Sequence, residues 1–269
     1  MNMNMNKKMA LVALGALVLV ALTVVFGMRK WQQAAPARPV LRVGMMSGWA
    51  PFMSVDGAGE AEGFDVDVAR EIARRMGCEP EIVDLGSLPA LLLALNQGTI
   101  DMAMSGLDST PERQKTFEMV RYTGEDMRTL ALVFWKEVPV GVATVADLQK
   151  IPGAVIAVES GSSQEVFANT LQGLAKKPLA CVTDMFLDVQ YGRSTAMLLE
   201  PRIARRYQKQ KPELVSIMVP LPAQFQVAGC GIALRKQDAR LASQLEQVVG
   251  QMRQDGTLKR LEQQWQLED

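Results

Sequence analysis

Ser105-Gly106-Leu107-Asp108-Ser109-Thr110-Pro111-Glu112-Arg113 follows a short apolar run, Ile100-Asp101-Met102-Ala103-Met104. Pro111 suits the first turn of a helix and Thr110 the capping position before it. Ser105 and Gly106 are small enough to let another molecule reach the backbone. Free N–H groups at a helix start favour negative charge, and Arg113 brings a planar fork that can grip a carboxylate with two parallel hydrogen bonds. The stretch therefore reads as a strand, a small-residue turn and a helix start that together make an anion cradle.

Working outward, Leu41 to Met46 reads as a first strand, and Ser47-Gly48-Trp49-Ala50-Pro51-Phe52 as the loop leaving it. Val55 to Gly63, rich in Gly and acids, predicts a turn or short hairpin. Val68, Ile72 and Met76, spaced by four, predict an amphipathic helix with Asp65 as N-cap and Gly77 as stop. Glu81–Leu85 is a second strand, Leu88–Gln97 a second helix closed by Gly98, and Ile100–Met104 a third strand feeding the cradle. Pro111–Phe117 predicts a helix, Met119–Met127 an irregular segment and Thr129–Trp135 a strand.

A second series repeats this logic: strand Val155–Glu159, small turn Ser160–Gln164, helix Glu165–Leu174, helix Met185–Tyr191, short strand Ala196–Leu199 ending in Glu200-Pro201, and a late strand Gly229–Leu234. Leu241, Leu245, Val248, Val249 and Met252 stripe a penultimate helix, and Leu258, Leu261 and Trp265 a last one. Alternation of strands and helices predicts an α/β fold whose ligand lies beyond the carboxyl ends of the strands. Both candidate loops leave such ends and should share one rim.

The 269 residues are 48% hydrophobic, enough for one large domain or two modest lobes. Lys+Arg and Asp+Glu are both 29, so no basic excess argues for nucleic acid. His is absent, which removes the Ser-His-Asp and Cys-His machines and the commonest metal ligand. Cys78, Cys181 and Cys230 are too scattered for a metal knuckle or a disulfide framework. No metal or cofactor is expected. Arg202, Arg205 and Arg206, with Lys209 and Lys211, form a basic helical face that reads as solvated surface.

Lys7 and Lys8 precede an apolar run from Met9 to Gly27, closed by Met28, Arg29 and Lys30. That run is nearly long enough to cross a bilayer. A small-x-small site, Ala35-Pro36-Ala37, lies late and carries Pro, which favours an uncleaved signal anchor over a cleaved signal peptide. Trp31 to Pro39 reads as a tether, and the polar remainder as exported to the periplasmic or cell-surface side.

With the cradle, the second turn and the C-terminal helices in hand, the chain resembles the bacterial extracytoplasmic amino-acid-binding proteins of ABC importers. The matching residues are Leu41-Arg42-Val43-Gly44, Ala50-Pro51-Phe52, Gly63-Phe64-Asp65-Val66-Asp67, Ser105-Gly106, Thr110-Pro111-Glu112-Arg113, Gly161-Ser162-Ser163-Gln164 and Asp255-Gly256-Thr257. Tyr191-Gly192-Arg193-Ser194, Leu199-Glu200-Pro201 and Gly229-Cys230-Gly231 look most like the arginine-binding members, the chlamydial one above all. The resemblance implies a two-lobed periplasmic-binding-protein fold of type II, each lobe a mixed sheet flanked by helices, joined by two crossing segments. Residues 40–127 and 230–269 would form lobe one, 128–229 lobe two, and 1–39 the signal segment and tether. The implied partners are a small-molecule amino acid and the membrane subunits of an ABC transporter, with the protein itself a monomer and not an enzyme.

By the same resemblance Arg113 grips the ligand α-carboxylate, helped by Ser105, Gly106 and Ser163, and Glu200 takes the α-ammonium. Trp49 and Phe52 pack on the ligand side chain, Met46 and Leu88 line that end, and Glu159 lines the side-chain pocket. Asp108 departs from the pattern, because a Ser or Thr usually donates to the carboxylate there. It turns away, pairs with Arg113, or meets a cationic part of the ligand. Asp108, Glu159 and Glu200 oppose Arg113 alone, so the site should prefer a ligand with net positive charge. Aromatic faces attract cations, guanidinium especially, which favours arginine. Two other readings use the same residues: a periplasmic cyclohexadienyl (prephenate or arogenate) dehydratase-like enzyme, in which a buried carboxyl serves as general acid, and an anchored sensor domain.

Overall fold

A computed structural model describes residues 38–267. The apolar run Met9–Gly27 and all but the end of the tether lie outside the described residues. From Val40 onward the chain packs as one compact unit.

In chain order the elements are β1 Val40–Met45, β2 Ser54–Val55, β3 Ala61–Glu62, α1 Phe64–Met76, β4 Glu79–Asp84, α2 Leu88–Gln97, β5 Met102–Ala103, α3 Pro111–Thr116, β6 Phe117–Met127 and β7 Thr129–Trp135. They continue as β8 Val155–Glu159, α4 Ser163–Asn169, β9 Ala175–Leu179, α5 Val182–Gln190, β10 Ala196–Leu199, α6 Pro201–Gln210, β11 Leu214–Pro220, β12 Val227–Arg235, α7 Ala239–Gln254 and α8 Thr257–Gln264.

The fold is two-lobed, with one mixed sheet in each lobe. The first sheet runs β4-β1-β5-β12-β6, with β1 parallel to β4 and β5, and β12 antiparallel to β5 and β6. The second runs β11-β7-β10-β8-β9, with β8 parallel to β9 and β10, and β7 antiparallel to β10 and β11. Two passages join the sheets, one where β6 continues into β7 and one between β11 and β12.

Local sequence explains most elements. Val43 is wholly buried and registers with Ile82 on one side and Met102 on the other, as an inner parallel strand requires. In α1, Val68 and Ile72 are buried, and Gly77 ends the helix in the left-handed conformation at φ 71°, where only glycine sits without strain. The acid-rich stretch before α1 folds as the expected hairpin, β2 against β3. Met119–Met127, expected to be irregular, instead belongs to β6, whose register with β12 shifts around Cys230. The bulge lets the strand bend where it leaves one sheet for the other. Strands β9 and β11, which no local pattern announces, complete the second sheet.

Candidate functional site

The first corner is built on β5. After Met104, Ser105 takes φ 154° and its Oγ accepts a hydrogen bond from the Met46 N–H at 2.8 Å, tying the two strand ends together. Gly106 follows at φ 58°, and a Cβ on it would lie 2.8 Å from Trp49 Nε1 and 3.1 Å from the Phe52 ring. Both the backbone angle and the close rings require glycine.

The Gly106 N–H does not face the cleft. It donates to Asp65 Oδ2 at 2.7 Å, while Asp65 Oδ1 accepts from the Tyr122 hydroxyl at 2.5 Å. Asp65 is therefore a buried strut and not the N-cap of α1; Gly63 holds that position without a side-chain capping bond. Burial pushes the Asp65 carboxyl up to about 7, against the two bonds that favour its charged form. The expected help of Gly106 in holding an anion is thus reduced to making room, because its donor is spent inside lobe one.

Arg113 stands in the first turn of α3, where Thr110 Oγ1 accepts from its N–H at 3.1 Å. Its Nη1 donates to the Asp108 carbonyl at 2.9 Å, and its Nη2 to the Gly161 carbonyl of the other lobe at 3.3 Å. Burial lowers the Arg113 pKa from its ordinary value, and Asp108 and Glu159 oppose that. Asp108 does not turn away: its carboxylate accepts the Ser163 hydroxyl across the cleft. The loop that carries it is pinned to the start of β12, with Ser109 N–H on the Gly229 carbonyl at 3.2 Å and Gly231 N–H on the Leu107 carbonyl at 2.8 Å. Burial raises the Asp108 carboxyl, with Arg113 and Ser163 pulling it back.

The second corner comes from lobe two. Strand β8 ends on Glu159, which is 5% exposed. Ser162 Oγ accepts from the Glu165 N–H at 3.1 Å, capping α4, and donates to the Glu159 carbonyl at 2.6 Å. Burial pushes the Glu159 carboxyl up to about 8; Arg113 lowers it and Asp108 raises it. Glu200 follows β10 and occupies the N-cap of α6, yet its carboxylate makes no capping bond. Its Oε1 lies 3.9 Å from Arg202 Nε. Burial and then the charge on Asp108 push it up to about 7, against Arg202 and Arg205.

These groups surround one cavity of about 300 Å³ between the lobes. Met46, Trp49, Leu88, Ser105, Gly106, Asp108, Arg113, Glu159 and Glu200 all line it. Ser163 stands behind Asp108 instead of on the wall. Phe52 does not line it either: it is fully buried, edge-on to Phe64 at 6.2 Å, in an aromatic layer that continues from Phe64 to Tyr122. Its expected place on a ligand side chain gives way to core packing beneath Gly106.

Leu107, Ser162 and Gln164 line the cavity too. Ser162 and Gln164 belong to the small-residue turn already singled out, and the Ser-x-x-Glu spacing of Ser162 and Glu165 is a capping signature that fixes the turn. Trp49 Nε1 is enclosed and has no hydrogen-bond partner among the described residues. Among those residues no group of three or more Cys, Asp or Glu is spaced to hold a metal ion.

A buried cation at one corner and carboxyl groups at the other suit a small molecule carrying both charges. The profile of one protein family matches residues 41–268 of this chain. The chain belongs to the bacterial extracellular solute-binding proteins, family 3. This solute-binding protein is 33% identical to the probable ABC transporter arginine-binding protein ArtJ of Chlamydia trachomatis, over 84% of the chain and 85% of the relative. Its fold matches the structure titled an ancestral arginine-binding protein bound to arginine, with TM-score 0.76 and 26% identity over 86% of this chain and 99% of that one. It also matches an ancestral amino-acid-binding protein described as a precursor of cyclohexadienyl dehydratase, with TM-score 0.73 and 28% identity over 84% and 95% of the two chains. Among the described residues no helix is long and apolar enough to cross a membrane.

Proposed function

We propose that this solute-binding protein captures a cationic amino acid, arginine first, outside the cytoplasm and delivers it to the membrane subunits of an ABC importer. The observation that carries the reading is the charge balance of one cavity: Asp108, Glu159 and Glu200 face Arg113 alone. A zwitterion with a cationic tail supplies the positive charge that this set lacks. Arg113, with five N–H donors, holds the α-carboxylate while keeping a bond to a carbonyl. Glu200 takes the α-ammonium, Glu159 takes the tail, and the Trp49 ring covers the tail with its enclosed N–H available to the ligand. Relatives named or solved as arginine binders support the ligand class.

Binding without catalysis is part of the proposal. A raised Glu159 has the character of a general acid, but an anionic dicarboxylate substrate would meet Asp108, Glu159 and Glu200 against one guanidinium. The residues before Val40 are assigned to export and to anchoring in the cytoplasmic membrane, with the protein acting as a monomer. An anchored sensor uses the same ligand chemistry and differs only in its partner.

Calorimetry on the chain from Arg38 onward, against amino acids, tests the ligand class. Arginine should bind with micromolar or tighter affinity and glutamate not at all. No binding of arginine, lysine, ornithine or histidine at millimolar concentration overturns the reading, and aromatic product from prephenate or arogenate replaces it with the enzyme.

A further inference from the structure

The basic face of α6 does not stand open to solvent. Arg202, Arg205, Arg206 and Lys209 form one wall of a groove of about 420 Å³, and Pro51, Trp265, Gln266 and Leu267 form the other. The spacing i, i+3, i+4 and i+7 puts the four cations on one helix face, where they repel one another. Residues 201–210 contain no Asp or Glu to relieve them.

Two of the guanidinium groups are also partly taken out of water. The Arg202 side chain is 18% exposed, and the carboxylate paired with it, Glu200, stands 3.9 Å from its Nε and belongs to the cavity wall. Arg206 Nε is enclosed and has no hydrogen-bond partner among the described residues. A desolvated donor of a fixed charge costs free energy until an acceptor reaches it. Clustered cations around such a donor point to an anionic occupant.

The opposite wall narrows the chemistry. Trp265 is held in place by its Nε1–H on Asp67 Oδ2 at 2.9 Å, and with Pro51 and Leu267 it offers a rigid, partly apolar surface. Cations on one side and an aromatic ring on the other suit an extended segment in which acidic and apolar side chains alternate, better than a compact anion. The walls also come from different lobes, since α6 packs on the second sheet while Pro51 and Trp265 belong with the first. Bonds across the cleft, Arg113 to Gly161 and Tyr207 hydroxyl to the Gly48 carbonyl at 3.4 Å, hold the walls in this register.

We propose that the groove between α6 and the Trp265–Leu267 turn docks an acidic, apolar-interleaved peptide segment of a partner protein, and that it does so best when the lobes are drawn together. If the delivery role is correct, the segment belongs to the membrane partner, and a groove shaped by both lobes reports to it that ligand is bound. The groove chemistry itself does not depend on which amino acid fills the cavity.

The test is fluorescence anisotropy of a labelled Asp-Glu-Leu-Asp-Glu-Leu peptide with the unit from Arg38 onward, in low and moderate salt. Binding should weaken steeply with salt, be absent for the Asn-Gln-Leu-Asn-Gln-Leu peptide, tighten several-fold when arginine is added, and fall at least tenfold in Arg206→Gln/Lys209→Gln. Arg206→Lys should retain most of it. Calorimetry with arginine on the double variant should be unchanged, which separates this proposal from the ligand assignment. Equal binding by wild type and double variant, or no binding at millimolar peptide, overturns the proposal. So does a preference for phosphatidylglycerol vesicles or inorganic phosphate over the peptide that depends on the same two residues.

Discussion

The corner at Ser105–Arg113 and the corner at Glu159–Gln164 are built alike and carry opposite charge. Each ends a parallel strand, turns through small residues and starts a helix under a hydroxyl cap, Thr110 in one and Ser162 in the other. The first delivers a buried guanidinium and the second a buried carboxyl. Each also reaches into the other, Arg113 onto the Gly161 carbonyl and Ser163 onto Asp108. The shared backbone solves a common problem, placing a polar group at the mouth of a sheet; the one charged side chain chosen at each corner decides which end of a ligand it meets. Removing or neutralising either corner tests that division.

Loss of the cation should be the most damaging change. Arg113→Ala removes a two-pronged grip and leaves the ligand carboxylate beside Asp108, Glu159 and Glu200. Truncating one member of a buried charge pair costs roughly 2–5 kcal/mol, so arginine affinity should fall about a thousandfold by calorimetry, with the circular dichroism spectrum unchanged. Arg113→Lys keeps the charge without the fork and should lose less. Retained affinity in Arg113→Ala removes the first corner from the binding reaction.

Neutralising the second corner should alter selectivity more than folding. Glu159→Gln keeps shape and removes the acid proposed to face the cationic tail. Arginine should weaken by about 2 kcal/mol, the scale of a charge-assisted bond, while a neutral amino acid such as glutamine should lose nothing. An equal loss for both ligands places Glu159 away from the tail.

The same carboxyl makes the comparison depend on pH. The Glu159 pKa rises from 4.5 to about 8 and the Glu200 pKa from 4.5 to about 7, both chiefly through burial. Across that interval the folded, ligand-free protein holds protons that the unfolded chain has released. Stability therefore falls as pH rises through the interval, by up to a few kcal/mol. A cationic ligand favours the ionised carboxyls, so arginine affinity should rise with pH between about 6 and 8 and binding should release protons. Urea unfolding from pH 5 to 8, and calorimetry in buffers of different ionisation enthalpy, measure both trends. In Glu159→Gln both should flatten; a trend that persists unchanged assigns the protons elsewhere.

Which features the sequence makes legible follows from how local their causes are. Both corners and the helix α1 are written in nearest-neighbour terms: period, cap residues and small turns. The strands that no pattern announces, β6, β9 and β11, are all edges of their sheets. Edge strands face water on more sides and carry polar or proline residues, as Lys176, Lys177 and Pro178 do in β9, so their alternation is weak. Asp65 shows the other limit. Its place before a helix has the local pattern of a cap, but its partners, Gly106 and Tyr122, lie 41 and 57 residues further along the chain. Phe52 likewise sits in a loop beside site residues, and only the fold shows the ring turned into the core. The set of residues around the cavity is readable because they recur at strand ends; which donors remain for a ligand is decided by contacts across the fold.

Asp108 joins the two corners, and its removal should give the smallest effect. Its carboxylate receives the Ser163 hydroxyl, so it contributes to closure as well as to the negative charge of the cavity. Asp108→Asn keeps an acceptor for Ser163 and removes the charge; Asp108→Ala removes both. If the charge matters through the cationic ligand, both variants should weaken arginine about equally, by on the order of 1 kcal/mol. If the cross-cleft bond matters more, Asp108→Ala alone should weaken every ligand, and small-angle scattering should show less compaction on adding arginine. Burial already raises the Asp108 carboxyl, so Asp108→Asn costs the protein little and should leave its ligand-free stability the same or higher. The side chain would then act mainly as a hinge-side fastener between two corners whose charges do the selecting.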